Sequence, residues 1–178
     1  MKRFLLLFLA TVVTAWSASA QLSVSQLRTE HLTDPVGIGE RRPLWSWEVS
    51  DASRRGVTQS AYEIRVKSGG RTVWRTGKVA SAESAGVFYD GTPLTSDTRY
   101  TWQVRVWDDR GKASAWSRPA FWRTGLFDVG EWQARWIEPA VSDDLAAMFR
   151  RTFRVTKPVA EATVYVTAHG IYEASVNG

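Results

Sequence analysis

Carboxylates and imidazoles are the side chains of this sequence that could perform acid–base or metal chemistry. The acidic candidates are two pairs, Asp108-Asp109 and Asp143-Asp144. Hydrolysis by paired carboxyl groups needs both groups to face one bond, whereas neighbours in an extended chain point to opposite sides. The first pair lies in a sequence typical of a turn, where Asp bonds to nearby backbone. We expect the second pair to cap a short helix over residues 145–148, and we predict no catalytic residue in this chain.

The histidines and glycines indicate no cofactor site. His31 and His169 lie far apart in the sequence, and the chain has no cysteine. This is not a metal-ligand spacing. No glycine-rich phosphate loop follows a predicted strand, and no nucleophile elbow is present. The sequence therefore predicts neither a metal site nor an organic cofactor.

Tryptophan is unusually frequent, with ten residues in a chain of 178. Indole rings stack on sugars, but they also fill the cores of β-sandwiches. Composition leaves both uses open, so the position of each ring along its strand must decide. Three aromatic residues have the parity of an exposed sheet face: Trp74, Trp107 and Phe121. We expect them to form either a sugar-stacking strip or, as the preferred interpretation, an interface with another domain.

Apolar residues alternate with polar ones along several short segments between residues 24 and 124. Period two is the mark of strands that bury one face. Turn sequences such as Ser68-Gly69-Gly70 and Asp90-Gly91-Thr92-Pro93 separate these segments. The sequence therefore predicts an all-β fold, with one sandwich over residues 21–126. The alternating apolar positions are Trp45, Trp47 and Val49; Tyr62, Ile64 and Val66; and Tyr100, Trp102, Val104 and Val106.

Some of these aromatic residues have predicted structural roles. Tyr100 follows Leu94 by six residues and opens a strand, as in the tyrosine corner of immunoglobulin-like sandwiches, where the phenol bonds to upstream backbone. With Trp47 on an early strand, Trp102 in the tyrosine strand and no cysteine pair, the segment resembles a fibronectin type III domain. We expect Trp47, Tyr100 and Trp102 to belong to the core.

The segment Ser114-Ala115-Trp116-Ser117 follows a turn and carries another indole ring. By parity, Arg105 points away from the core and can lie against Trp116. Such a cation–π contact is worth about 0.5–2 kcal/mol. The alternative is that Trp116 is a platform for a sugar, and the structural role is preferred because Arg105 supplies a partner.

The first twenty residues are typical of an export signal. Lys2 and Arg3 precede an apolar run over residues 4–13, and Ala18-Ser19-Ala20 fits a cleavage site before Gln21. The predicted product is secreted or periplasmic, without a membrane anchor, since the apolar run is too short to span a bilayer. Removal of the signal lowers the formal charge from +5 to +3, and the basic residues are scattered. A nucleic-acid partner is therefore not expected.

A connector over residues 127–148 and a second β unit over residues 149–178 are expected after the sandwich. Alternation predicts strands at 162–168 and 171–176, and Asn177-Gly178 is a hairpin-turn sequence. The chain ends where a return strand is expected. We interpret the second unit as the start of a truncated sandwich, which buries too little apolar surface to be more than marginally stable.

The order of these motifs resembles bacterial α-L-rhamnosidases, glycoside hydrolase family 78, over nearly the whole chain after residue 20. The resemblance implies an N-terminal fragment of such an enzyme, with residues 149–178 opening a jelly-roll-like domain. The residues that carry it are Leu27-Arg28-Thr29-Glu30 with Pro35, Gly37, Ile38, Pro43, Ser46 and Trp47; residues 98–108 with Gly111, Trp116-Ser117 and Thr124-Gly125-Leu126; Trp132, Ala134 and Trp136-Ile137; and Phe149-Arg150 with Phe153, residues 162–167, Tyr172 and Asn177-Gly178.

The resemblance also implies a function. Members of this family are inverting hydrolases that release terminal L-rhamnose from plant glycosides or polysaccharides. Their catalytic carboxyl groups lie in a downstream (α/α) toroidal domain, which would be this chain's partner alongside the rhamnose-containing glycan. Two alternatives remain open: a free-standing secreted module that binds carbohydrate or mediates adhesion, and a receptor-like fibronectin module that binds protein.

Overall fold

The computed structural model describes residues 22–140 and 146–177. The predicted signal sequence and the Asp143-Asp144 pair lie outside the described residues. The chain divides into two compact units, one ending at Gln133 and the other beginning at Ala134. In the part of the chain that is described, no helix has the length and apolar character needed to cross a bilayer.

The first unit is a sandwich of short strands joined by turns. Its strands alternate buried and exposed side chains, as the period-two pattern predicts. A single 3₁₀ turn, Val129–Glu131, follows the last strand. The strands are β1 (Ser23–Thr29), β2 (Val36–Ile38), β3 (Leu44–Ser50), β4 (Gln59–Ser68), β5 (Arg71–Arg75), β6 (Val87–Phe88), β7 (Arg99–Asp108) and β8 (Ala120–Thr124).

The strands form two sheets. The smaller has the order β1-β3-β6, and the larger has the order β2-β8-β7-β4-β5. Neighbours are antiparallel, except that β2 runs parallel to β8. The longest ladder joins β4 to β7 and runs from the Gln59–Asp108 pair to the Ser68–Tyr100 pair. One side of the larger sheet is open at β5, whose first and last residues, Arg71 and Arg75, are exposed. The predicted all-β, immunoglobulin-like sandwich is confirmed.

Stacked indole and phenol rings fill the space between the sheets. Trp45 of β3 stacks on Trp102 of β7, with ring centroids 4.9 Å apart and planes 16° from parallel. Tyr100 stacks on Trp122 of β8 at 5.0 Å and 18°. The three indoles are at most 1% exposed. Burial of such large apolar rings is the main stabilising contribution to a small sandwich without disulfides.

Two polar contacts fix the orientation of core rings. The backbone N–H of Thr95 donates to the phenol oxygen of Tyr100 at 2.9 Å, which is the upstream contact predicted for a tyrosine corner. The indole N–H of Trp47 donates to the side-chain oxygen of Gln59 at 3.0 Å. Both rings thus keep a hydrogen-bond partner while their apolar parts are buried.

The second unit differs from the sequence prediction. Over residues 146–177 the structure contains no strand, so the strands expected at 162–168 and 171–176 are not formed. Residues 146–148 are likewise not helical. Alternating apolar side chains form a strand only when a neighbouring strand satisfies the backbone, and here Val164 and Val166 remain 68% and 45% exposed. Alternation of apolar and polar residues does not show whether a segment pairs with a neighbouring strand.

Candidate functional site

The outer face of the larger sheet is the surface on which the predicted aromatic candidates must be located. Its side chains come from alternate residues of β4 and β7, and the residues between them face the core. Paired across these strands are Ala61 with Trp107, Glu63 with Arg105, Arg65 with Gln103, and Lys67 with Thr101. The face is therefore built of cations, amides and a few half-buried rings.

Trp74 does not lie on this outer face. It pairs with Val66, whose side chain is fully buried, and its ring lies 5.1 Å from that of Tyr89 and 6.1 Å from that of Trp45. The cause is a register irregularity between Val66 and Lys67, where the β4–β5 ladder shifts. Trp74 therefore closes the edge of the core, and its predicted exposed parity was wrong.

Trp107 lies on the outer face but presents no open ring. The ammonium of Lys78 is 4.7 Å from the ring centroid, and the guanidinium carbon of Arg105 is 5.0 Å from it. The ring is half-buried between these cations. A sugar that approached Trp107 would have to displace a cation from the ring.

Phe121 is covered in a similar way at the other end of the face. The guanidinium carbon of Arg99 lies 3.5 Å from the centroid of the phenyl ring. Phe121 pairs with Thr101, which is six residues from Trp107 along β7. Six residues of strand span about 20 Å, so Trp107 and Phe121 do not meet in one stacking platform.

Trp116 occupies the space between them. The guanidinium carbon of Arg105 lies 4.9 Å from its ring centroid, which is the predicted cation–π contact. A second cation, Arg65, lies closer, at 4.3 Å. The contact of Arg65 with Trp116 was not predicted, because it depends on the pairing of β4 with β7, and parity within one strand does not show that pairing.

Two serine side chains hold Trp116 in place. Ser114 and Ser117 each accept a hydrogen bond through the hydroxyl oxygen from a backbone N–H of β7, that of Val106 at 3.0 Å and that of Val104 at 3.1 Å. Their own N–H groups donate to the carbonyls of the same two residues. The segment thereby satisfies backbone groups of β7 beyond the end of β8, and Trp116, one of the two residues between the serines, is held over the outer face.

Carboxylates on and beside the face are already engaged. Glu63 forms an ion pair with Arg105 at 2.6 Å. Asp108 is buried, and one of its carboxylate oxygens accepts from the backbone N–H groups of Arg110 and Lys112 at 3.0 and 2.7 Å. Arg54 bonds to both Asp108 and Asp109. The predicted turn role of Asp108-Asp109 is therefore what the structure shows, and this pair does not face a substrate cleft.

The two histidines belong to different units. His31 is exposed in the turn after β1, and His169 stacks on Trp136 with ring centroids 4.2 Å apart. Among the described residues, no group of three His, Asp or Glu side chains is arranged to hold a metal ion.

A polar clasp joins the end of the sandwich to the 3₁₀ turn. One carboxylate oxygen of Glu131 accepts from the hydroxyl of Ser96 at 2.7 Å and from the N–H groups of Phe127 and Asp128 at 2.8 and 3.0 Å. Arg41 pairs with Asp128 at 2.9 Å. The backbone hydrogen bond from Asp128 and the hydroxyl bond from Ser96 lower the pKa of Glu131 below its ordinary value. The clasp fixes residues 127–131 to the sandwich.

Comparisons with known proteins agree with this architecture. An α-L-rhamnosidase of Streptomyces avermitilis is 37% identical over 186 residues, covering 88% of this chain and 18% of that protein. An α-L-rhamnosidase of Formosa agariphila is 34% identical over 177 residues, covering 82% of this chain and 18% of that protein. The crystal structure of the Streptomyces avermitilis α-L-rhamnosidase complexed with L-rhamnose matches with a TM-score of 0.64 and 43% identity, over 67% of this chain and 12% of that one.

The chain thus spans about 18% of the length of the curated relatives it matches. The family described as Rha78A-like, N-terminal immunoglobulin domain matches residues 24–128, which cover strands β1 to β8 except the first residue of β1. This chain therefore belongs to the family of Rha78A-like N-terminal immunoglobulin domains.

Proposed function

We propose that this chain is the accessory N-terminal region of a secreted α-L-rhamnosidase. The whole enzyme is an inverting hydrolase of glycoside hydrolase family 78 that releases terminal α-L-rhamnosyl residues from plant glycosides or polysaccharides. One observation supports the proposal: the sandwich matches the family of Rha78A-like N-terminal immunoglobulin domains, and the chain aligns with about 18% of the length of an α-L-rhamnosidase.

The reaction itself needs two carboxyl groups that face one substrate bond. An inverting glycosidase uses one carboxylic acid to protonate the leaving oxygen and a second carboxylate to activate water, about 6.5–9.5 Å away. Here Asp108 is occupied by the backbone of its own turn, and Glu63 is paired with Arg105. We therefore assign catalysis to residues outside this chain and assign scaffolding and domain positioning to the sandwich.

An activity assay tests whether catalysis lies outside this chain. The purified chain should release no aglycone from an aryl α-L-rhamnoside. A longer protein, translated through the same reading frame beyond Gly178, should hydrolyse that substrate, and NMR should detect the β-anomer of rhamnose first because the mechanism inverts. Turnover by the purified chain would contradict the assignment of catalysis. A stop codon after Gly178 would replace this proposal with the free-standing binding module.

Export is tested separately. When the whole reading frame is expressed in a bacterium with an intact export pathway, N-terminal sequencing of the exported protein should begin at Gln21. A product that retains Met1 in the cytoplasm would contradict the secreted location without affecting the proposed enzymatic role.

A further inference from the structure

The outer face of the larger sheet carries a surplus of positive charge. Five cations on or beside it have no carboxylate within 4.0 Å in the part of the chain that the structure describes: Arg65, Lys67, Arg75, Lys78 and Arg99. We call these five residues the basic face. The face has its own carboxylate in Glu63, but that group is paired with Arg105. The surplus is therefore available to an anionic partner.

Aromatic rings hold three of these cations in fixed positions. Arg65 lies 4.3 Å from the ring centroid of Trp116, Arg99 lies 3.5 Å from that of Phe121, and Lys78 lies 4.7 Å from that of Trp107. A guanidinium stacked on a ring can present the N–H donors at its edge to a carboxylate or sulfate. Two nitrogens of Arg65 already donate to the side-chain oxygen of Gln103, at 3.0 and 2.7 Å, and the charge of Arg65 is not neutralised by that amide. A cation that is already held in place loses less side-chain entropy when it binds.

The shape of the basic face suits an extended anion. Arg99 is at one end of the row, and Lys78 is at the other end, over the ring of Trp107. Arg99 and Trp107 are eight residues apart on β7, and eight residues of strand span about 26 Å. The cations are thus distributed along a row and do not converge on one pocket. A polymer with repeated negative groups matches that distribution better than a single small anion does.

We propose that the basic face binds an acidic polysaccharide, a glycan whose sugar units carry carboxylate or sulfate groups. The inference rests on the proposed function, because a glycan-degrading enzyme gains from an accessory region that holds its polymeric substrate. Stacking of neutral sugars is disfavoured here because cations cover the rings of Trp107, Trp116 and Phe121. The same covering disfavours single-stranded nucleic acid, whose bases need open aromatic faces.

Isothermal titration of the whole chain against defined polymers tests the proposal. The probes are polygalacturonate for carboxylate, dextran sulfate for sulfate, neutral dextran, and a single-stranded DNA oligonucleotide. We expect binding of polygalacturonate or dextran sulfate that weakens as salt is added, and no binding of dextran. The stronger of the two acidic polymers identifies the anionic group. Polygalacturonate contains no rhamnose, so failure here is distinguishable from failure of the rhamnosidase assignment.

Two triple variants with the same net charge separate a specific face from general attraction. Lys67→Gln, Arg75→Gln and Arg99→Gln together should weaken binding of the acidic polymer by roughly tenfold. The control, Arg28→Gln, Arg55→Gln and Arg110→Gln, removes exposed cations elsewhere and should change it by less than about twofold. Circular dichroism spectra of both variants should match that of the parent chain if both fold.

Several results would overturn the proposal. These are no binding of either acidic polymer, an equal loss in the two triple variants, or DNA binding as tight as that of the acidic polymers. Loss of polymer binding in the longer protein would mean that another domain covers the basic face. In that case the face is an interface within the enzyme and not a glycan site.

Discussion

Strand β7 carries one tryptophan on each face, and the two side chains lie in opposite environments, one apolar and one charged. On the inner face, Trp102 is 1% exposed and stacks on another indole, Trp45. On the outer face, Trp107 is half-buried and lies between two cations, Lys78 and Arg105. The same side chain thus stabilises the inner face through apolar burial and the outer face by holding charges in place. Residue type does not show which role applies, but the face does.

The largest expected effect is on the inner face. Trp102→Ala should lower the free energy of unfolding by about 3–5 kcal/mol, because it leaves a cavity between the sheets. Trp102→Phe should cost clearly less. It keeps a ring in the stack and removes a buried indole N–H that has no hydrogen-bond partner among the described residues. Urea unfolding measures both variants, and equal losses would show that ring stacking on the inner face contributes little.

The tyrosine corner tests the polar part of the same core. Tyr100→Phe removes the acceptor of the Thr95 N–H and should cost about 1 kcal/mol, since the ring itself stays stacked on Trp122. Chemical denaturation followed by tryptophan fluorescence measures the change. A loss as large as that of Trp102→Ala would mean that the hydrogen bond, and not burial, dominates the inner face.

A smaller effect is expected on the outer face. Trp116→Ala removes the ring that Arg65 and Arg105 contact and should cost about 1 kcal/mol, within the usual range of cation–π pairs at partly exposed sites. Trp116→Phe, which keeps a ring, is the matched control and should lose about half as much. If Trp116→Ala destabilised the chain as much as Trp102→Ala, the contrast between the two faces would not hold.

The smallest effect is confined to acid pH. The pKa of Glu131 is lowered from its ordinary value of 4.5, so its ionised form is favoured in the folded state. Its contribution is fully present above that value and is lost as pH falls through the lower folded pKa. Melting temperature measured between about pH 5 and pH 3 should therefore decline less steeply for Glu131→Gln than for the parent chain. Parallel curves would show that the clasp adds no acid sensitivity.

Much of the sandwich was predictable because its strands bury one face each. The alternation at Trp45, Trp47, Ile64 and Val104 predicts which side chains are buried, and the spacing of Tyr100 predicts its upstream contact. These signals are local in sequence, and the hydrophobic effect acts on each strand in the same way.

Other features depend on strand pairing and were not predictable from one sequence. Trp74 turns toward the core because the β4–β5 ladder shifts, and the proximity of Arg65 to Trp116 depends on the β4–β7 register. The parallel pairing of β2 with β8 joins residues far apart in the chain. The strands expected at 162–168 and 171–176 show the same limit, since apolar alternation does not supply a neighbouring strand.

The exposed Arg71 and Arg75 at the two ends of β5 have a consequence for how separate molecules meet. An edge strand offers unpaired backbone N–H and C=O groups to any extended segment that lies alongside it, and aggregation can begin in this way. If two copies approached through their β5 edges, four guanidinium groups would be brought together with their charges unneutralised. The open side of the sheet therefore resists growth into an intermolecular sheet, which favours solubility for a protein so rich in aromatic residues.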